Sequence, residues 1–144
     1  MTCELITLDG TKYDGDFTEV LVTTANGMMV VLPHHEPFAG VIKPGPVTIH
    51  NGQDKDTFAV FGGLIEVTPS SVRLLTDMAE HSDELDLAAV ERALAEAEKL
   101  KKSASSRHEL HQAQTLIDRH QVRLDVLKIH RNRNRHHSRP GREI

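Results

Sequence analysis

Cysteine and large aromatic side chains are scarce in this sequence of 144 residues. Cys3 is the single cysteine, so the chain can form no internal disulfide and no cysteine-based zinc site. Tryptophan is absent and aromatic residues make up 3% of the chain, too few for a platform on which bases stack. No apolar run approaches the roughly 18 residues that span a bilayer, and the N-terminal segment lacks a secretion or transit pattern. We therefore expect a protein that is kept inside a bacterial-type cell.

The sequence also lacks the motifs that usually mark a catalytic site. It contains no Gly-x-x-x-x-Gly-Lys-Ser/Thr loop, no Gly-x-Ser-x-Gly elbow and no His-Glu-x-x-His pair. Gly62-Gly63 is followed by a predicted strand rather than a helix, which favours a turn over a phosphate site. The ten histidines are not spaced like the ligands of a metal site. We expect neither a catalytic residue nor a metal site. A small enzyme that binds a metal through its histidines is kept as an alternative.

Charge is distributed unevenly along the chain, although the net charge is only −4. Residues 1–86 contain four basic and fourteen acidic residues, whereas residues 107–144 contain nine basic and four acidic residues. The composition, 38% hydrophobic and 26% charged, is that of a globular protein. An acidic body with a basic C-terminal part favours a molecule that binds partners over an enzyme.

Residues 1–84 are predicted to form an antiparallel β-sandwich. Short segments rich in Val, Ile, Thr and Phe alternate with turn dipeptides, which is typical of strands joined by tight turns. The predicted strands are 4–8, 17–24, 28–32, 47–50, 57–61, 64–68 and 72–76. The predicted turns are at Asp9-Gly10, Asp14-Gly15, Asn26-Gly27, Pro44-Gly45, Asn51-Gly52 and Gly62-Gly63. Because these turn signals disappear after residue 84, the expected fold class is α+β.

Residues 85–131 are predicted to form a hairpin of two helices. Asp86 is a suitable N-cap for the first helix, and Ser106 with Glu109 has the spacing of a capping box at the start of the second. The apolar stripe of the first helix is Leu87, Val90, Leu94 and Ala97. The stripe of the second is Leu110, Ala113, Ile117, His120, Leu124 and Leu127. The stripes predict an antiparallel hairpin, mobile on the sandwich, with His120 as a hydrogen-bonded or interface histidine.

The basic segment 132–144 has no apolar stripe, and we expect it to be disordered. Its arginines suggest an alternative function, in which the chain binds nucleic acid through counterion release. The lack of aromatic residues in this segment and the acidic body favour a solvated tail, or docking on an acidic protein surface.

Two motifs lie at a characteristic separation in the predicted sandwich. The first is LPHHEPF at residues 32–38, followed by IKPG at residues 42–45. The second is FGGLIEV at residues 61–67, followed by residues 72–79. Together they resemble the epsilon subunits of F-type ATP synthases, whose segments read Pro-Gly-His-Ala-Pro, Lys-Pro-Gly, Ser-Gly-Gly-Phe-Leu-Glu-Val and Val-Thr-Val-Leu-Ala-Asp-Thr-Ala. The order of a sandwich and a helical hairpin also matches, so the resemblance covers nearly the whole chain.

The resemblance implies a non-catalytic rotor subunit of the central stalk, which couples ion flow to ATP synthesis. The sandwich, residues 1–84, would bind the gamma subunit and the ring of c subunits. The hairpin, residues 85–131, would inhibit ATP hydrolysis by contacting the alpha and beta subunits. The chain would then lie at the cytoplasmic face of the bacterial plasma membrane, held there only through the complex, with no nucleic acid among its partners.

The resemblance also suggests contact residues. Contact with the c ring is predicted for Met28, His35 and Phe38. Many bacterial members have an acidic residue at the position of Met28. Because methionine is uncharged, the contact expected of this chain is apolar. The prolines at 33, 37, 44 and 46 fix the backbone that presents His35 and Phe38. Docking on the beta subunit is predicted for four basic residues of the second helix: Arg107, Arg119, Arg123 and Lys128.

Family members that bind ATP on the hairpin carry the motif Leu-Asp-x-x-Arg-Ala. This chain has Leu85-Asp86, but Arg92-Ala93 lies farther along the helix than the motif requires. Asp86 and Arg92 are therefore the residues from which a regulatory ATP site would have to be built, and the sequence predicts no cofactor.

Overall fold

In the computed structural model, the chain forms a β-sandwich followed by two α-helices. The structure describes residues 1–138, and it describes the side chains of residues 1–131. The strands are β1 (Thr2–Thr7), β2 (Gly10–Asp16), β3 (Glu19–Thr24), β4 (Gly27–Val31), β5 (Phe38–Asn51), β6 (Asp54–Val67), β7 (Ser71–Leu75) and β8 (Ala79–His81). A 3₁₀ turn, Ser82–Glu84, leads to the helices α1 (Leu87–Lys102) and α2 (Arg107–Ser138). The predicted α+β class is confirmed.

Two long strands join the layers of the sandwich. β5 and β6 pair in antiparallel orientation from Phe38 opposite Val67 to Asn51 opposite Asp54. One layer contains β2, β1, β7 and the adjoining halves of β6 and β5, and the other contains β8, the remaining halves, β3 and β4. Gly62 and Gly63 have φ angles of 101° and 144°, which lets β6 bend between the two layers.

Three of the predicted turns are wrong, because the glycines bend or continue a strand instead of reversing the chain. Asp14-Gly15 lies inside β2, Pro44-Gly45 inside β5 and Gly62-Gly63 inside β6. The sequence also gave no sign of β2, because an exposed, polar edge strand has no apolar alternation. One strand pair, β1 with β7, is parallel, whereas the prediction was antiparallel throughout.

The core lies between the two layers and is built from alternate residues of the strands. Fully buried members include Leu5, Val22, Ile49, Ile65 and Leu74. Alternation is clearest in β1 and β3, where every second side chain is buried. Cys3 belongs to this core, and burial, with a smaller effect of the Glu4 charge, raises the pKa of its thiol to about 12. The chain's cysteine is therefore unreactive at neutral pH.

The first half of α2 packs against α1, as the hairpin predicts. Ala97 and Ala113 are buried, whereas Leu110 is 44% exposed although it was assigned to the stripe. Asp86 is the N-cap of α1 by position, but its side chain makes no capping hydrogen bond. At the start of α2, the Glu109 amide donates to Ser106 Oγ over 3.1 Å, while the Glu109 carboxylate accepts from the amide and hydroxyl of Ser105. The capping box is thus divided between two serines.

α2 is longer than the sequence predicts. The disordered tail was expected from residue 132, but the backbone is helical to Ser138, so that expectation is corrected for residues 132–138. Each residue added to an existing helix gains a backbone hydrogen bond, and Arg is a good helix former, so the helix can continue without an apolar stripe. Residues 139–144, the rest of the predicted tail, lie outside the described residues.

Candidate functional site

The second half of α2 lies on the sandwich through a small apolar cluster. Val122 and Val126 are buried against Ala59 of β6, and Phe61 and Leu85 pack at the margin. We call these five residues the docking cluster. The sequence prediction missed Val122 and Val126, although their spacing of four residues places both on one helix face.

An arginine of α2 is bound by a carboxylate of the sandwich. Arg123 Nη2 donates to Glu80 Oε1 over 2.7 Å, and Arg123 Nε lies 3.1 Å from both Glu80 oxygens. The two side chains are 18% and 20% exposed. The Arg123 guanidinium also lies 5.1 Å from the centre of the Phe61 ring. Arg123, predicted to dock on another subunit, is thus already bound within this chain.

The other basic residues predicted for beta-subunit docking divide between two faces of α2. Arg119 is exposed, but its guanidinium lies 5.9 Å from the centre of the Phe61 ring, one turn before Arg123. Arg107 and Lys128 are exposed: Arg107 is the first residue of α2, about four turns before Val122, and Lys128 lies on a different face from Val122 and Val126. The structure therefore brings together Arg119 and Arg123, but not all four residues.

His120 supports the same contact. Arg123 Nη1 lies 3.0 Å from His120 Nδ1, so the guanidinium donates and the neutral ring accepts. Burial lowers the pKa of His120, the Arg123 charge lowers it further, and Glu80 acts in the opposite direction. The prediction that His120 is a hydrogen-bonded or interface histidine is confirmed in its first form by this hydrogen bond.

A second polar contact joins the sandwich to α2 near the 3₁₀ turn. His130 Nδ1 lies 3.3 Å from Ser82 Oγ, and His130 Nε2 lies 3.8 Å from Asp83 Oδ1. On the sandwich side, His81 Nε2 lies 2.8 Å from Asp56 Oδ1, while His81 Nδ1 accepts from the Asp83 amide. Within residues 1–131, no three His, Cys, Asp or Glu side chains form a group that could hold a metal ion.

The residues predicted for the c-ring contact differ in exposure. Met28, at the start of β4, is 75% exposed. His35 is half-buried and donates from Nδ1 to the carbonyl of Glu36 over 2.7 Å. Phe38 is also half-buried, because its ring packs against the core and over Gly40. Of the three residues, Met28 has the most side-chain surface available to a partner.

The two residues considered for a regulatory ATP site lie apart on the helix. Asp86 precedes α1 with an extended backbone, and Arg92 is exposed within the helix. Arg92 is six positions after Asp86, a step that does not return to the same side of a helix with 3.6 residues per turn. Their predicted role stays a prediction.

A face of the sandwich that the sequence prediction missed carries exposed apolar residues in register. Val41 of β5 lies opposite Leu64 of β6, Leu64 lies opposite Leu75 of β7, and Leu75 lies beside Ile6 of β1. Val41, Leu64 and Leu75 are 53%, 56% and 41% exposed. We call these four residues the apolar sheet face. An open groove of about 350 Å³ borders it, with Leu8 and Asp77 among its lining residues. Such a contiguous apolar row on a surface is typical of a protein interface.

Known proteins have sequences similar to this chain. The family model described as ATP synthase, Delta/Epsilon chain, beta-sandwich domain matches residues 1–82. The ATP synthase epsilon chain of Chloroflexus aggregans is 34% identical over 132 residues, which cover 92% of this chain and 95% of the relative. The chain belongs to the ATP synthase epsilon chain family.

Other epsilon chains and solved structures agree with this assignment. The epsilon chain of Herpetosiphon aurantiacus is 32% identical over 90% of this chain and 96% of its own length. Among solved structures, a chain of the Euglena gracilis mitochondrial ATP synthase has a TM-score of 0.71 and 22% identity, over 90% of this chain and 78% of that one. A chain from the Tetrahymena thermophila central stalk and c-ring has a TM-score of 0.52 and 17% identity, over 81% and 96%. The structural likeness supports the fold, and the sequence relatives support the family.

These relatives bear on two hypotheses from the sequence. They offer no support for the nucleic-acid alternative, because the similar proteins are ATP synthase subunits. In the described part of this epsilon chain family member, no helix is long and apolar enough to cross a membrane.

Proposed function

We propose that this member of the epsilon chain family is a non-catalytic rotor subunit of an ATP synthase. It binds the gamma subunit and the c ring through its sandwich and couples ion flow to ATP synthesis. It lies at the cytoplasmic face of the bacterial plasma membrane, where it is held by the complex. The names of the solved relatives, which refer to F1, central-stalk and c-ring assemblies, support this proposal.

The single observation that best supports it is the apolar sheet face. This face crosses four neighbouring strands and is exposed on three of them, a width that suits an apolar segment of one large partner better than a small molecule. We assign this face to the gamma subunit. Met28, with His35 and Phe38 behind it, is assigned to the c ring, where its apolar side chain makes the contact.

Pull-down of the tagged chain from membranes solubilised in mild detergent tests this assignment. We expect gamma, alpha, beta and c subunits to be recovered together. Leu64→Lys should reduce their recovery, because it places a charge in the centre of the apolar sheet face. Leu116→Lys is the matched control, since Leu116 is an exposed leucine of α2 and is not part of the apolar sheet face. Recovery of none of these subunits with the wild-type chain would overturn the proposal.

The hairpin is proposed to inhibit ATP hydrolysis by docking on the alpha and beta subunits. Removing residues 85–144 should raise ATP hydrolysis by the assembled complex without preventing assembly. Arg107→Glu with Lys128→Glu is a finer test, because these exposed residues lie away from the docking cluster. Unchanged hydrolysis after the truncation would remove the inhibitory role and leave the structural role intact.

A further inference from the structure

Phe61 occupies an unusual position between the sandwich and α2. It lies on β6 immediately before the Gly62-Gly63 bend and is half-buried in the docking cluster. The guanidinium groups of Arg119 and Arg123, one helical turn apart, lie 5.9 Å and 5.1 Å from its ring centre. Two cations on successive turns therefore contact one aromatic ring.

The charge of Arg123 is balanced inside the chain. Glu80 accepts hydrogen bonds from two of its nitrogens, and His120 Nδ1 accepts from the third. This is the bidentate recognition that an arginine also gives to a phosphate group. Because the carboxylate already occupies the guanidinium, the contact needs no additional anion.

The apolar part of the contact is small. Val122 and Val126 are the α2 residues buried in the docking cluster, and Ala59 is their fully buried partner on β6. Burial of two valines and one alanine gives a modest hydrophobic contribution. The ring of Phe61 adds apolar area and two cation contacts at the same place, so it is positioned to determine whether α2 stays docked.

We propose that Phe61 is the residue that holds α2 on the sandwich, and that Phe61 and Glu80 together complete this contact without a bound nucleotide or other anion. The inference goes beyond the proposed function, and it applies to the isolated chain. Docking of the hairpin in this protein is then independent of ligand. The same contact withholds Arg123 from any other acidic surface while α2 is docked.

Distances between spin labels on the isolated full-length chain test this proposal. Labels on cysteines introduced at Ser105, in the hairpin loop, and at Gln53, in the β5–β6 turn, report whether the hairpin is docked. Cys3 is fully buried and stays unlabelled. The distances are measured at several urea concentrations, all lower than those that unfold the sandwich, and the docked and detached fractions give the docking equilibrium constant. Methyl NMR signals of the sandwich core verify that each variant is folded.

We expect Phe61→Ser, which installs the residue of the family motif, to lower the docking constant about tenfold. Phe61→Leu should give an intermediate loss, because it keeps apolar contact with the valines but has no aromatic face. Phe61→Tyr should retain docking. Arg119→Ala should weaken docking, whereas Arg107→Ala, a matched change on another face of α2, should leave it unchanged.

Three results would overturn the proposal. Docking of both Phe61→Ser and Phe61→Leu at the wild-type level would show that Phe61 does not hold the helix. Equal losses in Arg119→Ala and Arg107→Ala would show that general charge, and not the ring contact, is responsible. A rise in the wild-type docking constant on addition of MgATP would contradict independence from ligand. Since the isolated chain is measured, each result is separate from the outcome of the pull-down.

Discussion

At the scale of single residues, two glycines with left-handed backbones differ in their surroundings. A Cβ atom on Gly63 would overlap the carbonyl oxygen of Leu75, and φ is 144° there. A Cβ atom on Gly52 would meet no atom within 4 Å, and φ is 64°. We predict that Gly63→Ala lowers the free energy of unfolding by about 3 kcal/mol or more, because strain and overlap add.

Gly52→Ala is the control for that substitution. It should cost only about 1 kcal/mol, the penalty of a left-handed backbone for an L-residue. Urea denaturation of both variants, followed by circular dichroism, measures the difference. Equal losses would mean that the neighbouring strand moves aside and that β6 does not need glycine at residue 63.

The ionisation of His120 leads to a pH prediction. Burial and then Arg123 lower its pKa, so the docked state favours the neutral ring that accepts from Arg123. The pKa of an unperturbed histidine side chain is about 6.5. The detached state therefore binds the proton more readily, and the stability from His120 is present above about pH 6.5 and decreases below it.

Urea denaturation of the wild type and of His120→Gln from about pH 8 to about pH 5.5 measures this effect. Glutamine can still accept from Arg123 but does not titrate. We expect the wild type to lose stability relative to the variant as the pH falls. The other nine histidines are present in both proteins, so the comparison isolates His120. A constant difference across the range would contradict the prediction.

Residue roles were predicted from sequence only where the pattern is local. The hydrogen-bonded histidine, His120, could be predicted because its partner Arg123 is three residues away on the same helix. The partner of Arg123 could not be predicted, because Glu80 is 43 residues away in the chain. Phe61 was missed for the same reason, since a ring in a strand pattern gives no sign that two arginines of a distant helix cover it.

At the scale of secondary structure, the start of α2 leads to a further prediction. Ser106 Oγ accepts from the Glu109 amide, an otherwise unpaired donor of the first turn. Ser106→Ala should cost about 1 kcal/mol of local stability. Hydrogen exchange of residues 107–112 should become faster, whereas Ser103→Ala, whose hydroxyl only donates to the Leu100 carbonyl, should change it little. Unchanged exchange in Ser106→Ala would indicate that Ser105 is sufficient as the cap.

Turn prediction succeeded or failed according to what the glycine does. Asp9-Gly10, Asn26-Gly27 and Asn51-Gly52 lie at true chain reversals between β1 and β2, β3 and β4, and β5 and β6. Pro44-Gly45 and Gly62-Gly63 look the same in sequence, but they lie on paired strands that pass from one layer to the other. Sequence alone does not distinguish Gly62-Gly63 from a reversal, because the bend there and the reversals at Gly10, Gly27 and Gly52 all use a positive φ.

At the scale of the whole molecule, Glu80 and Arg123 connect the sandwich to the hairpin. A double-mutant cycle with Glu80→Ala, Arg123→Ala and both together should give a coupling energy of about 1 to 3 kcal/mol in the docking equilibrium, since both side chains are largely buried. The spin-label distances provide the measurement.

The matched cycle uses Glu4 and Arg73, a pair 4.0 Å apart whose two side chains both lie on the sandwich and are 35% and 51% exposed. Its coupling in the docking equilibrium should be close to zero, because the pair stays together when α2 detaches and solvent screens its charges. Additive effects of the Glu80 and Arg123 substitutions would mean that the ion pair does not join the two parts of the molecule.

The two helices have unequal lengths, 16 residues in α1 and 32 in α2. α1 can cover only the first half of α2, so the second half obtains its apolar cover from the sandwich. During translation the sandwich leaves the ribosome before α2 does, and domains generally fold from the N-terminus as synthesis proceeds. The surface that Val122 and Val126 need is therefore already folded when they emerge. A circular permutant that begins with the helices would reverse this order and leave both valines in water until synthesis is complete.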